Sequence, residues 1–239
     1  MAISQAVCNS FKTQLLQGMH NFTVLTGTNT VSSVAAATGT SGPNGTATTT
    51  YTGTFTNGGS NAYAGLVLCL SGFGTAANNG TFLCIQSTTT TIVMANPNGA
   101  NSGAEGTVNA TTDVFAIALY TSSATLGATT TAYTASNEAG SSGTYVTGGI
   151  NLGNLVGNAM ALVSTTPVLS STTACCLFAT ISWTSATISA AGALIYNASL
   201  GGQPACVVLS FGATYSSTNG TFSITFPAQT AGNAIIQLA

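Results

Sequence analysis

The chain has 239 residues, of which 45% are hydrophobic and only 2% charged: one Lys or Arg, three Asp or Glu and one His, for a formal net charge of −2. That length can bury a sizeable core as one or two domains, and abundant apolar residues with so little charge exclude the composition of a disordered chain. A single lysine, Lys12, cannot neutralise a phosphate backbone, which excludes nucleic-acid binding, and no apolar run approaches the roughly 20 residues of a membrane helix.

From residue 2 to 21 apolar side chains recur at every fourth position, Ile3, Val7, Phe11, Leu15 and Met19, with Cys8 and Leu16 widening the stripe. The spacing predicts one N-terminal amphipathic α-helix that packs through this face. Lys12 then falls on the wet side, and His20 in the last turn, where partial positive charge suits the helix dipole. The opening "MAISQAVCNSF" lacks a basic segment followed by an apolar one, so no signal peptide is expected and the chain is read as made in the cytoplasm of its host.

Beyond residue 22 the texture changes to alternating Thr, Ser, Gly, Ala and Asn. "TATTTYTGTFT" (46–56), "GLVLCLSGF" (65–73), "GTFLCIQSTTTTIVMAN" (80–96) and "EGTVNAT" (105–111) read as strands separated by Gly- and Asn-rich turns. Their spacing predicts an antiparallel sandwich over 23–110. A second set follows: "DVFAIALYTS" (113–122), a Gly/Thr-rich stretch with strand fragments at best (123–158), then 159–183, 186–197, 204–212, 220–227 and 234–239. In "TFSITFP" Phe222, Ile224 and Phe226 alternate with Thr221, Ser223 and Thr225, placing the aromatics inward. The fold class expected is mainly β: two antiparallel β-sandwich domains plus the N-terminal helix.

Six cysteines, at 8, 69, 84, 175, 176 and 206, do not make a small secreted disulfide framework. Cys69 and Cys84 are equidistant from Ala76–Ala77. A symmetric hairpin would therefore oppose them as a candidate cross-strand pair near bridging geometry. Two reduced core cysteines are the competing reading. The vicinal Cys175 and Cys176 lack the spacing of a zinc knuckle, and one histidine cannot complete a Cys₂His₂ site.

Catalysis needs titratable groups gathered in a cleft. Here they are His20, Glu105, Asp113 and Glu138, none near another in sequence, with no nucleophile elbow and no phosphate-binding loop. Neither an enzyme nor a cofactor is expected, and the Asn-x-Ser/Thr sequons are read as unused without secretion.

"DVFAIALYTSSATLGATTTAYTASNEAG", "GGINL", "TISWTSATISAAGALIYN", "VVLSFGATYSSTNGTFSITFP", the closing "AIIQLA" and the opening "AVCNSFKTQLLQGMHNFT" together resemble a family of small virion structural proteins of tailed bacteriophages. The resemblance covers about 1–22 and 113–239. It implies an anchoring body of helix (1–22) and jelly-roll-like sandwich (111–239), into which 23–110 is inserted as an Ig-like sandwich. It carries scaffold residues and no functional ones. It implies a capsid decoration, or cement, protein on the outer capsid surface, as a trimer or other homo-oligomer bound to the major capsid protein, with the insert projecting outward. A tail tube, fibre or adhesin, or a cellular surface filament subunit, are the rival readings.

Sheet edges without Lys, Pro or buried charge pair with their neighbours, and a nearly neutral monomer is colloidally poor. A permanent assembly follows, held by uncharged contacts that salt barely screens, with Phe, Tyr and Trp183 as candidate anchors. Weak adhesion of the insert to host glycans would use Tyr51, Phe55, Tyr63, Phe73 or Phe82, although most of these equally suit its core.

Overall fold

The computed structural model describes residues 3–22, 25, 27–103, 110–111, 113–150, 161–162 and 166–239. Glu105 and most of the strand expected over 105–111 lie outside them. In chain order the elements are β1 (Ala6–Val7), α1 (Asn9–Leu16), β2 (Asn29–Thr38), β3 (Thr48–Phe55), β4 (Val67–Leu70), β5 (Gly80–Ser87), β6 (Thr91–Met94), β7 (Ala110–Thr111), β8 (Phe115–Tyr120), β9 (Ala161–Leu162), β10 (Val168–Ser170), β11 (Thr173–Cys176), β12 (Ile181–Asn197), β13 (Ala205–Ile224) and β14 (Ile236–Leu238). All named strand pairs are antiparallel, so the protein is mainly β, with one α-helix among the described residues. The chain divides into two compact units: residues up to 22 join those from 114 onward, and the described residues from 25 to 113 form the other.

In the second of these units the strand order is β2-β3-β6-β5-β4-β7. β5 belongs to two layers, because Gly80–Leu83 pair with β4 whereas Cys84–Ser87 pair with β6. Between the layers lie Val31, Val34, Tyr51, Phe55, Tyr63, Leu68, Leu70, Phe73, Ile92 and Met94. The run 80–96 splits into β5 and β6 because Thr88 makes the turn: its Oγ1 accepts from the amides of Thr90 (3.1 Å) and Thr91 (2.9 Å). The aromatics offered for glycan stacking are interior. Tyr51, Phe55, Tyr63 and Phe73 are buried, and Phe82 packs on the same core.

The opposed pairing of Cys69 with Cys84 does not form. β4 and β5 register Leu70 on Gly80 and Cys69 on Thr81, three residues out of step with a hairpin centred on Ala76–Ala77. The cause is Asn79, whose side chain closes the loop onto Phe73 by accepting from its amide (3.0 Å) and donating to its carbonyl (2.7 Å). Cys84 lies in the core with Leu68 and Leu70. Cys69, between those two leucines, points to the other face of the strand. None of the six cysteines is in a disulfide, and all are buried.

In the first unit the sheet order is β1-β13-β12-β8-β9, with a separate three-stranded sheet β10-β11-β14. β8, "FAIALY", is buried along its whole length, since it is covered on both faces rather than the one expected from Phe115, Ile117 and Leu119. At Gly192 a Cβ would meet the Leu209 carbonyl oxygen at 2.5 Å and Ile3 Cγ2 at 2.8 Å, so only glycine lets the N-terminal segment seat there.

The long amphipathic helix is a correction. Helix α1 has eight residues. Ala6 and Val7 instead pair with Val208 and Val207, and Gly18, at φ 69°, ends the helical run. Of the expected packing face, Ile3 and Phe11 are buried and Val7 and Leu15 half-buried, while Met19 is 43% exposed. Apolar residues four apart also fit a short strand followed by a short helix, and the β13 edge takes the first part. Lys12 is exposed as expected. Trp183 is fully buried against Tyr145 and Phe222, so it is a core residue and not an interface anchor.

Candidate functional site

Three features of the first unit gather chemistry. The first is the irregular stretch after β8. An antiparallel bridge joins Tyr120 to Glu138, with the Ala139 amide on the Leu119 carbonyl (2.8 Å) and the Thr121 amide on that of Asn137 (3.0 Å). Asn137 takes the left-handed φ of 61° that this turn demands. Glu138 is thereby delivered to two tyrosines of the following and preceding loop, Tyr145 and Tyr133. Its Oε1 accepts from the Tyr145 hydroxyl (2.7 Å), and its Oε2 from the Tyr133 hydroxyl (2.6 Å) and the Gly148 amide (3.1 Å). Tyr133 stacks on Tyr196 at 4.8 Å between ring centroids. The Tyr196 hydroxyl accepts the Ile150 amide (2.9 Å), and the Tyr145 hydroxyl that of Leu119 (2.8 Å).

Burial and then the nearby carboxylate hold the Tyr145 and Tyr133 hydroxyls far above their ordinary range. Burial raises Tyr120 as well, and lifts Tyr196 to about 12. All four therefore stay protonated donors at neutral pH. A carboxylate already holding three donors, beside hydroxyls that do not ionise, has no nucleophile to activate. This cluster fastens the stretch from Tyr133 to Ile150 to β8 and β12 through charge-assisted hydrogen bonds.

The second feature is His20, which is neither in a helix nor charged. It is buried, with Nε2 facing Gln14 Oε1 (2.9 Å) and Nδ1 facing Asn197 Nδ2 (3.0 Å). The Asn197 amide can only donate there, which assigns the proton to Nε2. Phe11 lies 4.7 Å from the imidazole and Phe115 6.3 Å, between ring centroids. Burial without a negative partner lowers its pKa from 6.5 to about 4. It is a neutral packing residue. Burial likewise pushes the Cys8 and Cys84 thiols up to about 11, which keeps them unreactive. No three His, Cys, Asp or Glu side chains come together to hold a metal among the described residues, and no helix there is long and apolar enough to cross a membrane.

The third feature is the surface. Across the small sheet, Leu169 of β10 opposes Ala174 of β11, which opposes Leu238 of β14, so the three share a face. Leu169 is 73% and Leu238 58% exposed; Val168, 45% exposed, precedes Leu169 in the strand and points to the opposite face. Elsewhere β13 bends sharply enough to make a groove of about 460 Å³, lined by Phe211, Tyr215, Phe222 and five Ser or Thr residues. Neither was legible beforehand. The strip depends on a register between strands far apart in sequence. The groove depends on β13 being one strand where two (204–212 and 220–227) were expected.

No protein-family model, curated protein or solved structure matches the chain.

Proposed function

We propose that the chain is a non-enzymatic structural component of a tailed-bacteriophage virion, a capsid decoration protein that binds the outer capsid surface as an oligomer. The strip formed by Leu169 and Leu238 carries this reading. Two large aliphatic side chains stand in water on one face of a small sheet, and the sequence from residue 139 to the C-terminus contains no charged residue that could keep such a patch from associating. Covering the strip in a permanent contact removes that liability, and with no charge to screen, the contact is indifferent to ionic strength. The resemblance of the N- and C-terminal segments to virion structural proteins supplies the setting.

The reading is tested by the copy number of the chain in purified particles. A decoration protein is expected in a high, fixed ratio to the major capsid protein. A few copies per particle would point to the tail, and absence would overturn the reading. Replacing Leu169 and Leu238 together by Asp should abolish incorporation while leaving the far-ultraviolet circular dichroism unchanged.

A further inference from the structure

β13 is bent by insertions in its pairing with β12. Between the pairs Gly192–Ser210 and Ala190–Tyr215, β12 advances two residues and β13 five, so three extra residues are looped out over 211–214. Gly212, at φ 74°, supplies the left-handed step this requires. A second irregularity, one extra residue of β13 between Ser217 and Gly220, coincides with Asn219 at φ 44°. As a result Phe211 and Phe222 approach to 6.4 Å between ring centroids, although a straight strand would hold residues that far apart in sequence at roughly 35 Å.

The bend turns Phe211, Tyr215 and Phe222 toward one concavity of about 460 Å³, lined also by Ile224 and by Ser216, Ser217, Thr221, Ser223 and Thr225. That volume lies within the range of small-molecule sites, about 300–1,000 Å³. Its chemistry is unusual in two respects. Tyr215 keeps 57% of its surface in water despite resting edge-on against Phe211 at 6.3 Å. The hydroxyls of Tyr215, Thr221 and Thr225 make no hydrogen bond to another protein group among the described residues, whereas those of Ser216, Ser217 and Ser223 are engaged with Ser189, the Ala186 carbonyl and Ser182. No charged side chain lines the site among the described residues.

We propose that this groove binds a neutral saccharide. A sugar ring has an apolar C–H face, which the exposed face of Tyr215 complements, and a hydroxylated edge, which unengaged Tyr and Thr hydroxyls complement. The absence of charge selects against sialylated, sulfated or phosphorylated ligands, for which a buried anion would have no partner. The site is independent of whether the chain belongs to a virion.

The experiment is a titration of the full chain with maltotriose, cellotriose, chitotriose and mannotriose, with sialyllactose as the acidic control. It is read by saturation-transfer NMR and by the fluorescence of Trp183, whose ring centroid is 6.3 Å from that of Phe222. At least one neutral trisaccharide should bind saturably in the millimolar range or tighter, equally at low and high salt. Tyr215→Ala should weaken it at least about tenfold, and Tyr215→Trp should retain it. Because Tyr215 is exposed, the alanine variant should keep the native circular dichroism. Three outcomes would overturn the proposal: no saturable binding across the panel, undiminished binding by Tyr215→Ala, or preference for sialyllactose. So would sedimentation showing that Tyr215→Ala dissociates an oligomer, since the groove would then be a contact between copies.

Discussion

The two units hold their irregular segments by different polar devices. In the residue 27–103 region the fasteners are neutral amides. Buried Asn96 donates to the Tyr51 hydroxyl (2.9 Å) and to the Ala77 carbonyl (2.9 Å), and Asn78 closes a reciprocal pair with the Ala100 carbonyl (3.0 Å) and amide (2.9 Å). In the other unit the equivalent task falls to one carboxylate, Glu138, and to tyrosines, with a neutral imidazole bridging Gln14 and Asn197. An amide network has no protonation state to lose, so it is insensitive to pH. A carboxylate gives stronger hydrogen bonds, and an uncharged histidine gives a liability in acid. The chain's one histidine lies in the unit fastened by Glu138, so the histidine-linked pH sensitivity between neutrality and mild acid should reside there.

The largest effect expected is from Trp183→Ala. This fully buried side chain sits against Tyr145 at 5.3 Å and Phe222 at 6.3 Å between ring centroids. Its truncation should cost about 4 kcal/mol in urea unfolding followed by circular dichroism. Hydrogen exchange should accelerate most in β12, β13 and β8. Uniform acceleration across β3 and β6 as well would break the comparison, since it would mean that the two units unfold as one.

Next is Glu138→Ala, which removes the acceptor of two tyrosine hydroxyls and the Gly148 amide. A loss of about 3 kcal/mol is expected. Glu138→Gln, which keeps one acceptor oxygen, should lose about half as much. Asn96→Ala strips a comparable set of partners without any charge, so its effect should be the same at pH 7 and pH 5. Equal losses for Glu138→Ala and Glu138→Gln would show that charge contributes nothing to the tyrosine cluster.

What sequence reading could and could not reach follows the same division. Alternation in "TFSITFP" correctly turned Phe222 and Ile224 inward, because period two is local. The ten-residue strand β2 was missed, since "NTVSSVAAAT" is rich in alanine and lacks the aromatics that mark β3. Glu138 was visible as one of three carboxylates, with Tyr133 and Tyr145 on either side of it, but nothing local says that a bridge to Tyr120 will gather them. Cys69 and Cys84 were placed by assuming a symmetric hairpin, and the loop closed by Asn79 decided the register instead. The extra residues that bulge out of β13 likewise leave no mark in composition.

The pH prediction is smaller than either substitution and carries a definite sign. His20 titrates at about 4 in the folded chain against an ordinary 6.5. As pH falls below about 6.5 the unfolded chain takes up a proton that the folded chain refuses. Stability is therefore lost progressively toward pH 4, by on the order of 2 kcal/mol. The loss should be seen in Trp183 fluorescence, since both residues belong to the same unit, and should vanish in His20→Gln. The 27–103 region contains no histidine, so exchange protection in β3 and β6 should stay level over this window. A parallel decline there would remove the distinction between the two devices.

The smallest expected effect is none. If Cys69 and Cys84 were bridged, a reductant would release the constraint and lower the melting temperature. With Cys69 registered on Thr81 and the two thiols on opposite faces of their layer, dithiothreitol should leave the unfolding midpoint unchanged, and Cys69→Ser should behave alike with and without it. Burial also keeps Cys84 protonated up to about 11, so alkylation by iodoacetamide should require unfolding, and at a fixed pH its rate should rise with urea concentration. Rapid alkylation of the native chain would mean that the core between β4 and β6 opens locally, and the amide-fastened unit would then be the looser of the two.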